Sequence, residues 1–202
     1  MTQVRLKSQQ GKEPDRAAPA RLEDLRRIGA VWEQPRLKIN LLGEMSVSLG
    51  GEQLALPTSR KTRALLVYLV ATTRPHRRER LCEMFWDLPH DPRGALRTSL
   101  SKLRTVVDTP GRRRIIAERD TISFDPSDVD IDYAALRGKL GSDLTAVTTE
   151  LLEQAANALA GEFVEGLDLS SCPAFHAWCI AERAEARQLR IHILRTLIAR
   201  LD

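Results

Sequence analysis

Apolar and polar positions alternate from Leu37 to Leu41 and again from Met45 to Leu49, the period-2 pattern of half-buried strands. Gly50-Gly51 follows, and Leu54 and Leu56 then flank Ala55 before Pro57 ends the run. A Gly-Gly pair between alternating runs predicts a hairpin, because both turn positions need positive φ. The period then changes. Thr58 or Ser59 can cap a helix in which Ala64, Leu65, Leu66, Tyr68, Leu69 and Val70 cover most of the circumference, so this helix is expected at the centre of the core. Residues 77–86 hold Leu81 and Phe85 one turn apart, with Trp86 at the end. Asp87–Pro92 reads as a loop, and Asp91 as N-cap with Pro92 at the first helical position starts a third helix that runs to about Val107. Thr109-Pro110-Gly111 stops it. A second hairpin fits Ile115-Ile116-Ala117, a turn near Arg119-Asp120, and Thr121–Phe124. Beyond Pro126 the pattern predicts helices around Tyr133–Arg137, from about Ser142 to Leu159, and from about Pro173 to Leu201.

Before Leu37 there is little pattern. Residues 1–35 contain Pro14, Pro19 and Gln9-Gln10-Gly11, and only the spacing of Leu22, Leu25 and Ile28 hints at a short helix. This leader is expected to be disordered or weakly helical.

Charge divides the rest. Residues 36–124 carry 17 basic and 9 acidic side chains, whereas residues 125–202 carry 7 and 13. A basic first module (36–126) and an acidic helical second module (127–202) are therefore expected to have different partners, the basic one a polyanion. No apolar run reaches the roughly 18 residues of a membrane helix, so no membrane partner is expected. Three cysteines do not make a disulfide framework, and the expectation is a reduced, cytoplasmic protein.

On the third helix Leu96, Leu100, Leu103 and Val107 form one buried stripe, and the opposite face carries Arg97, Thr98, Ser101, Lys102 and Thr105. No acid lies between Pro92 and Val107. Arginine donates bidentately to guanine, hydroxyls reach bases or phosphates, and small residues permit close approach, so this face suits a major groove. Helix–helix–helix–hairpin with a basic third helix is the order of a winged helix-turn-helix. Base contacts are assigned to Arg97, Thr98, Ser101 and Lys102. Backbone contacts are assigned to Arg93, Arg104, Arg112, Arg113, Arg114 and Arg119, with Arg60, Lys61 and Arg63 as weaker candidates.

Chemistry of other kinds is missing from the sequence. Gly50-Gly51 lacks a GK[ST] continuation, and there is no G-x-S-x-G elbow or paired carboxylate set in an apolar context, so no enzyme is expected. Cys172, His176 and Cys179 lie at i, i+4 and i+7, but Cys172 directly precedes Pro173 at a helix boundary, and buried cysteines are ordinary core residues. Neither a metal nor a cofactor is expected.

At Leu41-Leu42-Gly43, Lys61–Leu66, Arg80-Leu81 with Phe85-Trp86, and Ala95-Leu96 with Ser101–Arg104, the chain resembles the OmpR-type winged helix of the antibiotic-regulatory-protein (SARP) class of bacterial transcriptional activators. Val129–Asp132, Gly166-Leu167, Phe175–Trp178 and Glu182-Arg183 are similar to that class's linker and its bacterial transcriptional activation domain. The resemblance covers roughly residues 37–202. It implies an α+β winged helix-turn-helix domain with an N-terminal β-sheet and a C-terminal wing hairpin, followed by an all-α tetratricopeptide-like module. It also implies that helix 92–107 reads double-stranded DNA, that residues 112–124 form the wing, and that the loop at 87–91 faces RNA polymerase. Relatives usually carry Gly-Tyr at the wing where Asp120-Thr121 stand here.

The expected function is thus a sequence-specific DNA-binding transcriptional regulator, an activator by resemblance. The rivals are a protein-interaction adaptor that has lost DNA binding, whose sign would be acids on the third helix, and the regulatory head of a larger protein. One further feature is an apolar arc through Ile191, Ile193, Leu194, Leu197, Ile198 and Leu201, wider than a solvated terminal helix needs. It predicts self-association, or cover by further residues, through the C-terminal helix.

Overall fold

The computed structural model describes residues 36–86, 91–140 and 143–201. The expected leader (1–35) and four residues of the loop proposed to face polymerase (87–90) lie outside the described residues. Pro35–Asp202 forms one compact unit, so the two expected modules pack against each other.

The fold is mixed α and β. Strands β1 (Leu37–Asn40), β2 (Ser46–Leu49) and β3 (Glu52–Gln53) form an antiparallel meander, with Ile39 opposite Val47. The tight Gly50-Gly51 turn pairs Leu49 with Glu52, so the third strand is Glu52–Gln53 and not the Leu54–Leu56 run. Helix α1 (Arg60–Thr72) follows, its N-terminus capped by the Ser59 hydroxyl accepting from Thr62 N. Residues Ala64–Val70 are all buried, which explains their lack of a polar face. A two-residue strand β4 (His76–Arg77) leads into α2 (Arg78–Phe85), and α3 (Pro92–Val107) is capped by Asp91 accepting from Gly94 N at 2.8 Å. The hairpin of β5 (Ile115–Ala117) and β6 (Thr121–Phe124) adds β4 at its other edge, giving strand order β4-β6-β5. Between α1 and α3, the buried hydroxyls of Thr62 and Ser99 hydrogen-bond at 3.0 Å.

Two expectations are corrected in the acidic half. Val129–Ile131, a linker by resemblance, is strand β7, which runs parallel to β1 and extends the first sheet to the order β3-β2-β1-β7. Its pairing is fastened by Asp132, whose carboxylate accepts from Leu41 N at 2.8 Å and Leu42 N at 3.0 Å. Helix α4 spans Asp132–Leu140. The single helix expected over 142–159 is a 3₁₀ turn (Leu144–Ala146) and a separate helix α5 (Thr149–Ala158), because the Thr148 hydroxyl accepts from Leu151 N and starts a new helix there. The long last helix, α6, is Pro173–Ile198.

Backbone pairing joins the halves. Gly43 N donates to Glu162 O, and Val164 N to Leu41 O at 2.7 Å. A Cβ on Gly161 would lie 2.8 Å from Gly43 N, so the close approach requires glycine there. Val164 takes a left-handed φ of 45°, unusual for a β-branched residue, and Arg183, itself buried, donates to the Phe163 and Val164 carbonyls while pairing with Asp168 at 2.8 Å. Phe175 and Trp178 are packing residues in an aromatic cluster: Phe85 to Phe175 at 5.3 Å, Tyr68 to Trp178 at 4.9 Å. No helix among the described residues is long and apolar enough to cross a membrane.

Candidate nucleic-acid interface

Helix α3 presents two faces. Leu96, Leu100, Leu103, Val106 and Val107 are buried. Arg93, Arg97, Thr98, Ser101, Lys102, Arg104 and Thr105 are exposed. All four residues assigned to base contact therefore lie on solvent, along one side of a 16-residue helix that carries no acid. Arg97 stands 3.8 Å from Asp91, and Arg93 3.5 Å from Glu79. These pairs are open to water and weak, so the arginines can leave them for a phosphate or a base.

The arginines at the hairpin divide by burial. Arg113 and Arg119 are exposed. Arg114 is only 2% exposed: its guanidinium donates to the Val107 carbonyl at the end of α3 and pairs with Asp128. Its assignment to backbone contact is corrected, since reaching a phosphate would mean unpacking it, leaving the Val107 carbonyl without this donor and Asp128 with Arg112 alone. Arg112 is half-buried and pairs with Asp125 at 3.0 Å and Asp128 at 3.1 Å, also contacting Ser127. It is committed to the fold on one side and open on the other. Burial alone would raise the Asp128 carboxyl, but hydrogen bonds and charge from Arg114 and Arg112 outweigh it and hold the group below the ordinary carboxylate value.

The weaker candidates sit at the start of α1, away from these two elements in sequence. Arg60 is exposed and donates to Gly166 O at 2.9 Å. Lys61 is half-buried. Arg63 lines a cleft of about 310 Å³ with Glu44 and Glu165, so its surroundings are acidic on two sides.

Two cations were missed by sequence reasoning. Strand β4 pairs His76 with Ile122 and Arg77 with Thr121, which brings Arg77, exposed, to the edge of the hairpin. Arg78 donates through Nε and Nη2 to Glu118 O and through its backbone N to Asp120 O, so it holds the hairpin turn. The signal was the Arg77-Arg78 pair after Pro75, which reads as helix start because a two-residue strand has no alternation to detect.

Among the described residues no group of three or more His, Cys, Asp or Glu is arranged to hold a metal. Cys172 Sγ donates to the Phe85 carbonyl, and Cys179 is buried, both as core residues.

The fold has a solved counterpart. It is similar to that of Mycobacterium tuberculosis EmbR, in the structure of that protein in complex with a low-affinity phosphopeptide, with a TM-score of 0.63 and 19% identity. The match covers 82% of this chain and 46% of EmbR, so the chain spans less than half of that protein's length. At this identity the likeness is one of fold. No family model matches the chain. No curated protein matches it either.

Proposed function

We propose that this chain is a sequence-specific double-stranded DNA-binding transcriptional regulator of the SARP type, acting as an activator. Helix α3 is its major-groove reader, and the β5–β6 hairpin its wing. The observation that carries the reading is the α3 face: Arg97, Thr98, Ser101 and Lys102 exposed together, free of acids, over a fully packed opposite stripe. Such a face gives bidentate and hydroxyl donors at the spacing of base edges without repelling phosphate. The likeness in fold to EmbR over most of the chain supports a SARP-like fold. The adaptor reading would need acids on α3, and that helix has none.

Arg113 and Arg119, with Arg77 at the hairpin edge, supply backbone contacts on the wing side, and Arg93 and Arg104 flank the reader. Asp91, next to the 87–90 segment, anchors one end of the proposed polymerase-facing loop as the α3 N-cap. Selection of bound sites from random duplex DNA tests the proposal directly. A recovered motif whose binding is lost on changing Arg97 supports it. Recovery of no motif, with weak and uniform binding, overturns it.

A further inference from the structure

Along α6 and the turn that follows it, exposed positions recur at alternating spacings of three and four. They run from Ala177 and Ile180 through Ala184 and Arg187 to Ile191, Leu194, Ile198 and Leu201, and every one is on solvent. This is the a/d spacing of a coiled-coil seam over three and a half heptads. It lies apart from the face that packs on the rest of the chain, which is formed by Phe175, Cys179, Arg183, Ala186 and Ile193. The last four seam residues are large and apolar, with exposures of 41%, 39%, 61% and 87%. Isolated exposed apolar residues are ordinary, but a contiguous row at this period is a contact surface.

We infer that the part of this seam from Ala184 to Leu201 is the interface of a homodimer in which α6 packs antiparallel against α6 of a second copy. Ile191 and Ile198 at a with Leu194 and Leu201 at d give the helix one continuous apolar stripe to bury against a second copy. Charge decides the orientation. In a parallel pair, Arg190 at g would face Arg195 at e of the other chain on both sides of the seam, and like charges directly across an interface oppose association. In an antiparallel pair centred on Ile191 against Leu194, Arg190 instead flanks Leu197, and Arg195 flanks Gln188. The same register sets Leu201 against the small Ala184 and lays the stem of Arg187 along Ile198. It also brings Arg187 and Arg190 beside the carbonyl end of the neighbouring helix, where positive charge is favoured. A cavity of about 480 Å³, walled by Tyr133, Leu140, Ala184, Gln188 and Leu189 together with the ion pair of Arg137 and Glu185, opens beside Ala184, the residue that Leu201 of the other copy meets. The contact is self-complementary about a two-fold axis and closes at two chains.

The full chain, without DNA, is tested by sedimentation at about 10 µM, a concentration that populates a dimer of micromolar affinity. The expected species is a dimer. Leu194→Glu, at an already exposed site, is expected to raise the dissociation constant at least about tenfold while circular dichroism and thermal melting stay unchanged. Orientation is read by oxidative cross-linking of Ile191→Cys and Leu194→Cys proteins, for which the native cysteines are a small background because all three are buried. The antiparallel seam predicts cross-linked dimers when the two proteins are mixed and few when each is oxidised alone. A monomer at that concentration overturns the proposal, as does a dimer indifferent to Leu194→Glu. Efficient cross-linking of each cysteine variant with itself overturns the antiparallel arrangement.

Discussion

Arg114 on β5's lead-in and Asp128 just before β7 form an ion pair that ties the wing-like hairpin to the chain entering the first sheet. The pair also reaches α3, because the same guanidinium donates to Val107 O at 2.6 Å. One side chain thus joins the last turn of the proposed reader helix, the hairpin and the strand that leads into the acidic half. Arg114→Ala leaves the Val107 carbonyl without this donor and Asp128 with Arg112 alone, and is expected to cost about 1–3 kcal/mol in urea unfolding. Arg113→Ala, one residue away and exposed, should cost less than about 0.5 kcal/mol. Equal effects on stability would mean that Arg114 is not the clamp.

The reverse order is expected on DNA. Arg113→Ala should weaken binding to selected and random duplexes by similar factors, because a phosphate contact carries no sequence information. Arg97→Ala should cost roughly 1–3 kcal/mol on the selected site and relax preference at one base step. Competition assays with selected and scrambled duplexes separate the two. If both substitutions weaken both duplexes alike, α3 is not the reader.

Salt should act on the same contacts. Each neutralised phosphate lowers log affinity by about 0.9 per unit of log salt concentration. Exposed arginines at 77, 93, 104, 113 and 119 set the expected slope at several such contacts, and Arg114 adds none because it is buried. Titration of the full chain from low to physiological salt measures it. A slope near zero would remove the electrostatic basis of the proposed interface.

Much of this arrangement was legible in the chain, and the parts that were not share a cause. Asp91-Pro92 and the stripe of Leu96, Leu100, Leu103 and Val107 are local signals, and α3 begins and packs as they dictate. The apolar end of α6 is also a local signal, but Ile193 of the expected open arc is fully buried on the packed face, which only the tertiary contacts decide. Arg112, Arg113 and Arg114 are identical in sequence, yet only the last is buried, and what decides it is Asp128, 14 residues on. Strand β7 is three residues long and pairs with a strand some 90 residues earlier, so neither its alternation nor its partner shows in a local window. The 3₁₀ turn before α5 is hidden in the sequence because Leu144, Leu151, Leu152 and Ala155 keep an approximate helical spacing. The Thr148 cap, rather than any change in apolar pattern, marks the break.

His76 is expected to make the fold sensitive to mild acid. It is buried on β4 against Tyr68, their rings 4.6 Å apart, and its Nε2 lies 2.7 Å from Thr72 Oγ1. That hydroxyl donates its own proton to Tyr68 O at 2.6 Å, so it accepts from His76, and the imidazole is the neutral Nε2–H tautomer. Burial, and then the charge of Arg74, lowers the His76 pKa below its ordinary 6.5. The unfolded chain therefore binds this proton first as pH falls. The contribution of neutral His76 is complete above pH 6.5 and is lost as pH drops from there toward the folded value. Since β4 pairs with β6, the loss should fall on the hairpin. Urea unfolding at intervals between about pH 7.5 and pH 5 should show stability declining through this window, and His76→Gln, which keeps an N–H donor but does not titrate, should flatten the decline. An unchanged slope in His76→Gln would assign the acid sensitivity to other groups.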